Sequence, residues 1–312
     1  MALAIRVRVA VFDLLMLISL VVLQQKGDAQ ELIKLQNPRL KKCRFDKIYQ
    51  LGDSLSDTGN CIRESLCGAN SACSRLPYGM TLFQKATGRC SDGMLMIDFI
   101  DCPKYLEKSL FLVGEIGDEF NYAVSQGKTL DDLRRMVPDV VQAITDGVKR
   151  IIGYGATRIV VPGNFPVGCL PVILTNFRIN NSTAYDEHHC LKDWNNFIIF
   201  FNNYLRQAID EVKKEYPNII LIYADYYNAY LWLLQNAVTL GFDKNSLQKA
   251  CCGTGGDYNF NVHKKCGDSG VEVCANLTTY ISWDGVHLTQ NAYKWLARWL
   301  IDDMLPQMNC HF

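Results

Sequence analysis

The sequence predicts an α/β domain, a mostly parallel sheet with helices on both faces. Three observations lead there. Short aliphatic runs alternate with long amphipathic segments along the chain, the first three of those runs close on glycine, and no internal repeat or low-complexity linker interrupts the order. Strands that alternate with helices are joined by crossovers, which makes neighbouring strands parallel and covers both faces of the sheet.

Residues 1–29 stand apart from that domain. Arg6 and Arg8 supply a positive start, an apolar run extends from Val9 to Leu23, and the small residues Gly27 and Ala29 suit cleavage after Ala29. The run is short for a span of ~20 residues, although an uncleaved anchor is the competing reading and Asp13 sits inside the run. No later stretch is long and apolar enough to cross a membrane. The expectation is a cleaved signal over 1–29 and one domain over 30–312, secreted to the apoplast or the vacuole, with no stable membrane span.

Within the domain, the first strand is expected at 47–51 and runs into Gly52-Asp53-Ser54. A second, at 109–113, ends at Gly114. A long helix follows over 130–152. Thr129 with Asp132 resembles a capping box, and Val137, Val140, Val141, Ile144, Val148, Ile151 and Ile152 share one helical face. Pro138 inside that helix predicts a kink or a restart. A third strand at 158–161 closes on Pro162-Gly163, and a second long helix over 191–216 would bury Leu191, Trp194, Phe197, Ile198, Phe201, Leu205, Ile209 and Val212 before Pro217 stops it. A fourth strand at 219–223, a helix at 226–235 and a last helix at 289–305, with Ala292, Trp295, Leu296, Trp299 and Leu300 inward, complete the order. Ligands gather at the carboxyl ends of such strands, so the loops at Ser54, at 114–121 and at 163–169 are where a site is expected.

Composition narrows the partners. Lys plus Arg equals Asp plus Glu, 32 each, and no basic stripe with interleaved aromatics stands out, which argues against a nucleic-acid partner. The 13 cysteines (Cys43, Cys61, Cys67, Cys73, Cys90, Cys102, Cys169, Cys190, Cys251, Cys252, Cys266, Cys274 and Cys310) suit an oxidising compartment where most would pair, the odd count leaving at least one over. Sequons at Asn180, Asn181 and Asn276 mark candidate glycosylation sites.

Two segments carry chemistry. Ser54 follows a strand and precedes the polar run Leu55-Ser56-Asp57-Thr58-Gly59-Asn60, with Asp53, Ser56, Asp57 and Asn60 expected to brace the loop. A serine hydroxyl is a weak nucleophile unless a base lies beside it, and taken alone Ser54 reads more readily as a helix N-cap than as a nucleophile. Far downstream stands Trp283-Asp284-Gly285-Val286-His287. An aspartate three residues before a histidine, on a turn entering a helix, can hold one ring nitrogen and leave the other for a nucleophile. A solvated loop histidine is the plainer alternative.

Together the two segments resemble a known family. Phe45 to Asn60 reads FDKIYQLGDSLSDTGN, which is similar to the first signature block of plant GDSL esterases/lipases, and Trp283 to His287 reads WDGVH, which resembles their final block. Pro77-Tyr78-Gly79, Gly88 to Gly93 (GRCSDG), Val161-Pro162-Gly163, Pro166 to Cys169, Ala224 to Tyr227 and Cys251-Cys252-Gly253 are similar to further stretches of that family, in the same order. Within it, the texture most resembles acetylajmalan esterase-type members. The resemblance implies a three-layer α/β/α, flavodoxin-like fold of the SGNH-hydrolase type. It implies Ser54 as nucleophile, His287 as general base and then acid, and Asp284 as the residue that orients it. The expected reaction is hydrolysis of a small-molecule or lipid ester, an acetyl ester of a specialised metabolite being one candidate, through an acyl-enzyme. No metal or organic cofactor is implied. Cys251, Cys252, His263, Cys266 and Cys274 could be read as a zinc site, but the secretory address and the family favour disulfides.

The chain departs from the family pattern at the oxyanion hole. After Ile97-Asp98-Phe99-Ile100 it goes straight to Asp101-Cys102-Pro103-Lys104, where family members carry tens of further residues, including a strand and a glycine block. The third block, Gly114 to Tyr122, lacks the asparagine that members use; Asn121 matches a later, non-catalytic one, and the carboxylates of Asp118 and Glu119 would repel an oxyanion. Losing one oxyanion donor costs about 10²–10³ in rate. Two alternatives therefore accompany the hydrolase: a catalytically impaired relative that binds a metabolite or protein, and an acyltransferase.

Overall fold

Four short strands, β1 (Ile48–Leu51), β2 (Leu110–Val113), β3 (Arg158–Pro162) and β4 (Ile220–Ala224), form one sheet in the order β1-β2-β3-β4, every pair parallel. Each lies within one residue of its expected position. The structure is a computed structural model that describes residues 48–63, 71–99, 109–114 and 118–308. The signal segment 1–29, Cys43, Cys67, Cys102, Cys310, the junction 101–104, residues 115–117 and the side chains of Asp118 and Glu119 lie outside the described residues. Among those described, β1 is hydrogen-bonded on one side only, to β2.

Among the described residues, six α-helices flank the sheet: α1 (Asp118–Ser125), α2 (Leu130–Gly153), α3 (Pro171–Asn176), α4 (Lys192–Glu215), α5 (Tyr226–Asn236) and α6 (Gln290–Met304). Because side chains alternate across a strand, each strand feeds two cores. Val113, Ile159, Val161, Leu221 and Tyr223 join the buried faces of α2 and α4. Leu110, Leu112, Val160 and Ile222, in the opposite phase, are buried too. On that side α6 packs against β4, α5 packs against α6, and no α6 residue joins the α2–α4 core. The result is a three-layer α/β/α arrangement.

The capping box of α2 is present in both directions: Thr129 accepts from the Asp132 N–H, and the Asp132 carboxylate accepts from the Thr129 N–H. The restart allowed for at Pro138 does not occur: α2 runs unbroken from Leu130 to Gly153 with the proline inside it. Pro138 lies on the exposed face, where a carbonyl that loses its helical partner can turn to water. A second departure is α1, which replaces an expected loop. Phe120 anchors it, meeting Phe197 and Phe201 edge-on with ring centroids at 5.0 and 5.4 Å. In α6 the buried residues are Ala292, Tyr293, Leu296, Ala297, Leu300, Ile301 and Met304, whereas Trp295 and Trp299 are only half-buried. Small residues at 292 and 297 let the helix sit close, which moves its two tryptophans to the rim.

Disulfides join Cys73 to Cys90, Cys169 to Cys190, Cys251 to Cys274 and Cys252 to Cys266, and Cys61 is also disulfide-bonded. The Cys251–Cys274 stretch is an irregular excursion whose only regular element is a two-residue antiparallel pair, β5 (Cys252–Gly253) with β6 (Glu272–Val273). Its sulfurs are consumed by these bridges, and among the described residues no His, Cys, Asp and Glu cluster could hold a metal ion.

Candidate active site

Ser54 leaves the carboxyl end of β1 in a tight turn rather than at the start of an α-helix. Gly52 makes the turn possible: a Cβ there would fall on the Gly114 carbonyl oxygen, at the neighbouring strand end, and on Ser56 Oγ. The bracing residues act through their carboxylates and hydroxyls. Asp53 Oδ1 accepts the Leu55 N–H at 2.9 Å, and the Gln50 amide donates to Ser56 Oγ at 2.6 Å. Asp57 collects the N–H groups of Gly59, Asn60 and Cys61 at 2.8, 2.5 and 2.9 Å. Asn60 contributes its backbone. The Ser54 N–H takes no acceptor among the described residues.

The second segment meets the first across 233 residues of sequence. Ser54 Oγ lies 2.7 Å from His287 Nε2, and His287 Nδ1 lies 2.7 Å from Asp284 Oδ2. The turn that joins Asp284 to His287 needs Gly285, whose φ is +96° and whose missing Cβ leaves room for the Phe260 ring. Asp284 is saturated. Its Oδ1 accepts the N–H groups of Val286 and His287 at 3.0 and 2.8 Å, and Oδ2 accepts the Tyr78 hydroxyl at 2.8 Å as well as the ring nitrogen. Burial by itself pushes this carboxyl up, but the His287 charge and these hydrogen bonds outweigh it and hold the pKa at about 2.

The pair opens into a cavity of about 680 Å³, within the usual range for small-molecule sites. Phe120, Val124, Ile173, Phe177, Trp194 and Phe197 form an apolar arm, while Asn121, Asn164, Lys264 and Lys265 bring polar groups to its wall. Asn164 follows β3 and is gripped by Asn202 of α4, whose Oδ1 accepts the Asn164 N–H at 2.8 Å and whose Nδ2 donates to the Asn164 carbonyl at 3.0 Å. Two turns earlier on the same face, Asn195 accepts the Gly168 N–H at 2.9 Å. Sequence reading passed over both asparagines; their signal is a buried polar residue at i and i+7 on an otherwise apolar face. It also left Tyr78 without a role, and placed Asn121 apart from the site whose wall it helps to form.

Asn180, Asn181 and Asn276 are all exposed, and Thr278 Oγ1 donates to Asn276 Oδ1 at 2.8 Å.

Comparison with known proteins finds relatives over most of the chain. The profile described as GDSL-like Lipase/Acylhydrolase matches residues 104–300, a stretch that begins beyond Ser54 and contains Asp284 and His287. Acetylajmalan esterase 1 of Rauvolfia serpentina is 34% identical, across 86% of this chain and 89% of its own. A GDSL esterase/lipase of Arabidopsis thaliana is 38% identical, across 86% of this chain and 92% of its own. Acetylajmalan esterase 2 of Rauvolfia serpentina is 35% identical with the same coverage, 86% and 92%.

Proposed function

We infer that this chain, which belongs to the GDSL-like lipase/acylhydrolase family and is a carboxylic ester hydrolase, works through an acyl-enzyme on Ser54. The observation that carries this reading is the unbroken relay from Ser54 Oγ through both ring nitrogens of His287 to Asp284, with both links at 2.7 Å. His287 Nε2 takes the hydroxyl proton as Oγ attacks the ester carbonyl. The free Ser54 N–H is one donor for the oxyanion. The imidazolium then returns its proton to the leaving alcohol. Water, deprotonated by the same nitrogen, attacks the acyl-enzyme and releases the acid and Ser54. Asp284 keeps the proton on Nδ1, so that Nε2 faces the serine as a base.

We extend the reading to substrate and address. An acetyl ester of a bulky, apolar alcohol is supported by the apolar arm of the cavity and by the similarity to acetylajmalan esterases. Secretion is supported by the 1–29 segment, the disulfides and the exposed sequons. No helix among the described residues is long and apolar enough to cross a membrane.

The test is direct. The purified protein should react with a fluorophosphonate at Ser54 and cleave nitrophenyl acetate, and Ser54→Ala should abolish both. Labelling elsewhere, or cleavage unchanged in that variant, refutes the mechanism. Absence of cleavage with intact labelling would instead favour an acceptor other than water, which product analysis with added alcohol resolves. Secretion requires a chain that starts at Gln30 and loses mass on deglycosylation; a chain that starts at Met1 inside the cell overturns it.

A further inference from the structure

Tyr78 belongs to none of the roles above, yet it touches the relay. Its hydroxyl lies 2.8 Å from Asp284 Oδ2, the oxygen that also meets His287 Nδ1 at 2.7 Å. The residues are 206 positions apart, and the contact is built rather than incidental. The side chain is 3% exposed and meets Trp283 edge-on at 5.9 Å. Its backbone is tied on both sides, through the Tyr78 N–H to the Arg75 carbonyl and the Gly79 N–H to the Ser91 carbonyl, and the Cys73–Cys90 disulfide closes the segment. The phenol can only donate here. Burial and the neighbouring Asp284 charge hold it far above its ordinary range, while the carboxyl stays ionised down to about 2.

We propose that Tyr78 is a positioning residue of the hydrolase, sharing Asp284 Oδ2 with His287 and so setting how strongly the carboxylate holds the imidazolium. The proposal rests on the relay reading above. A carboxylate oxygen that serves two donors gives less negative charge to each. Removing the hydroxyl therefore concentrates the charge on His287 Nδ1 and makes the imidazolium easier to form. The other charged groups around the relay are Asp53, Lys264 and Lys265 on the cavity wall, and the Arg75–Asp268 ion pair beyond Tyr78. Loss of one hydroxyl alters none of them, so the effect has a single source.

The experiment compares Tyr78→Phe, the natural protein, and protein carrying 3-fluorotyrosine at 78, whose phenol is a stronger donor of nearly the same shape. The His287 imidazole is followed by NMR through a pH titration, its resonance assigned by loss in His287→Gln, and the acid limb of kcat/KM is measured alongside. The midpoint should rise by about half a pH unit in Tyr78→Phe and fall below the natural value with fluorotyrosine. In Tyr78→Phe, KM should stay within twofold. A midpoint common to all three proteins, or one that moves in the same direction in both variants, overturns the proposal. Should Tyr78→Phe fail to fold, the fluorotyrosine protein decides alone. Turnover that survives Ser54→Ala would refute the relay reading instead, and the titration of His287, which needs no turnover, would still report on Tyr78.

Discussion

Asp284→Asn is the substitution in which the geometry leaves least freedom. The carboxylate receives four donors, two backbone N–H groups on Oδ1 and the Tyr78 hydroxyl with the His287 ring on Oδ2. An asparagine offers one oxygen and one NH₂ group. If its oxygen stays with the two backbone donors, which cannot rearrange, the NH₂ faces His287 Nδ1 and the tyrosine hydroxyl. The tyrosine can rotate its proton away. The imidazole must move its proton to Nε2, which then presents N–H to Ser54 Oγ in place of a lone pair. The base is lost while the shape is kept. The corresponding change in the serine-protease relay lowers kcat by ~10⁴, about 5 kcal/mol of barrier at 1.36 kcal/mol per decade. Nitrophenyl acetate hydrolysis, normalised to correctly folded protein by circular dichroism, should show that loss with KM nearly unchanged. Activity within tenfold of the natural protein would refute the tautomer argument and, with it, the role assigned to Asp284.

Other expectations follow from the same geometry. Because the Asp284 pKa falls from 3.8 to about 2 on folding, its stabilising contribution is complete above pH ~4 and disappears as the pH drops toward 2; the natural protein should lose about 2 kcal/mol more than Asp284→Asn over that window, and equal losses in urea melts would contradict this. Arg89 makes two bonds to Asp98, at 2.7 and 2.8 Å, and a third to the Thr58 carbonyl at 3.1 Å, with both ionic side chains nearly buried. Arg89→Met strands the Asp98 charge and should cost about 3–5 kcal/mol in denaturant unfolding; a cost under about 1 kcal/mol would show that water reaches the carboxylate. Val124→Trp narrows the apolar arm. It should lower kcat/KM for naphthyl acetate about tenfold or more while ethyl acetate changes little, and parallel losses on both esters would place the bulky group elsewhere.

The strands and the long helices are readable from the sequence because their signals are local. The face of α2 repeats within a few residues, Thr129 and Asp132 cap it three positions apart, and each strand is one short run. The departures have causes that are not local. Helix α1 escapes notice because one aromatic, Phe120, anchors it through contacts with residues 197 and 201, which no periodicity in eight residues could announce. Pro138 suggests a break by its chemistry, but its effect depends on which face meets water.

The site divides in the same way. Sequence alone singles out Ser54, Asp284 and His287, because each stands in a recognisable block and because the turn at Gly285 is confined to five residues. It also determines the alternation of strands and helices that puts Ser54 at a strand's carboxyl end. Only the tertiary structure decides which cysteines pair, that Asn202 grips Asn164, and that Tyr78 reaches Asp284. Those contacts join residues up to 206 positions apart. A hydrogen bond of 2.8 Å at such a separation depends on how whole layers pack, and a side chain's own neighbours in sequence carry no record of it.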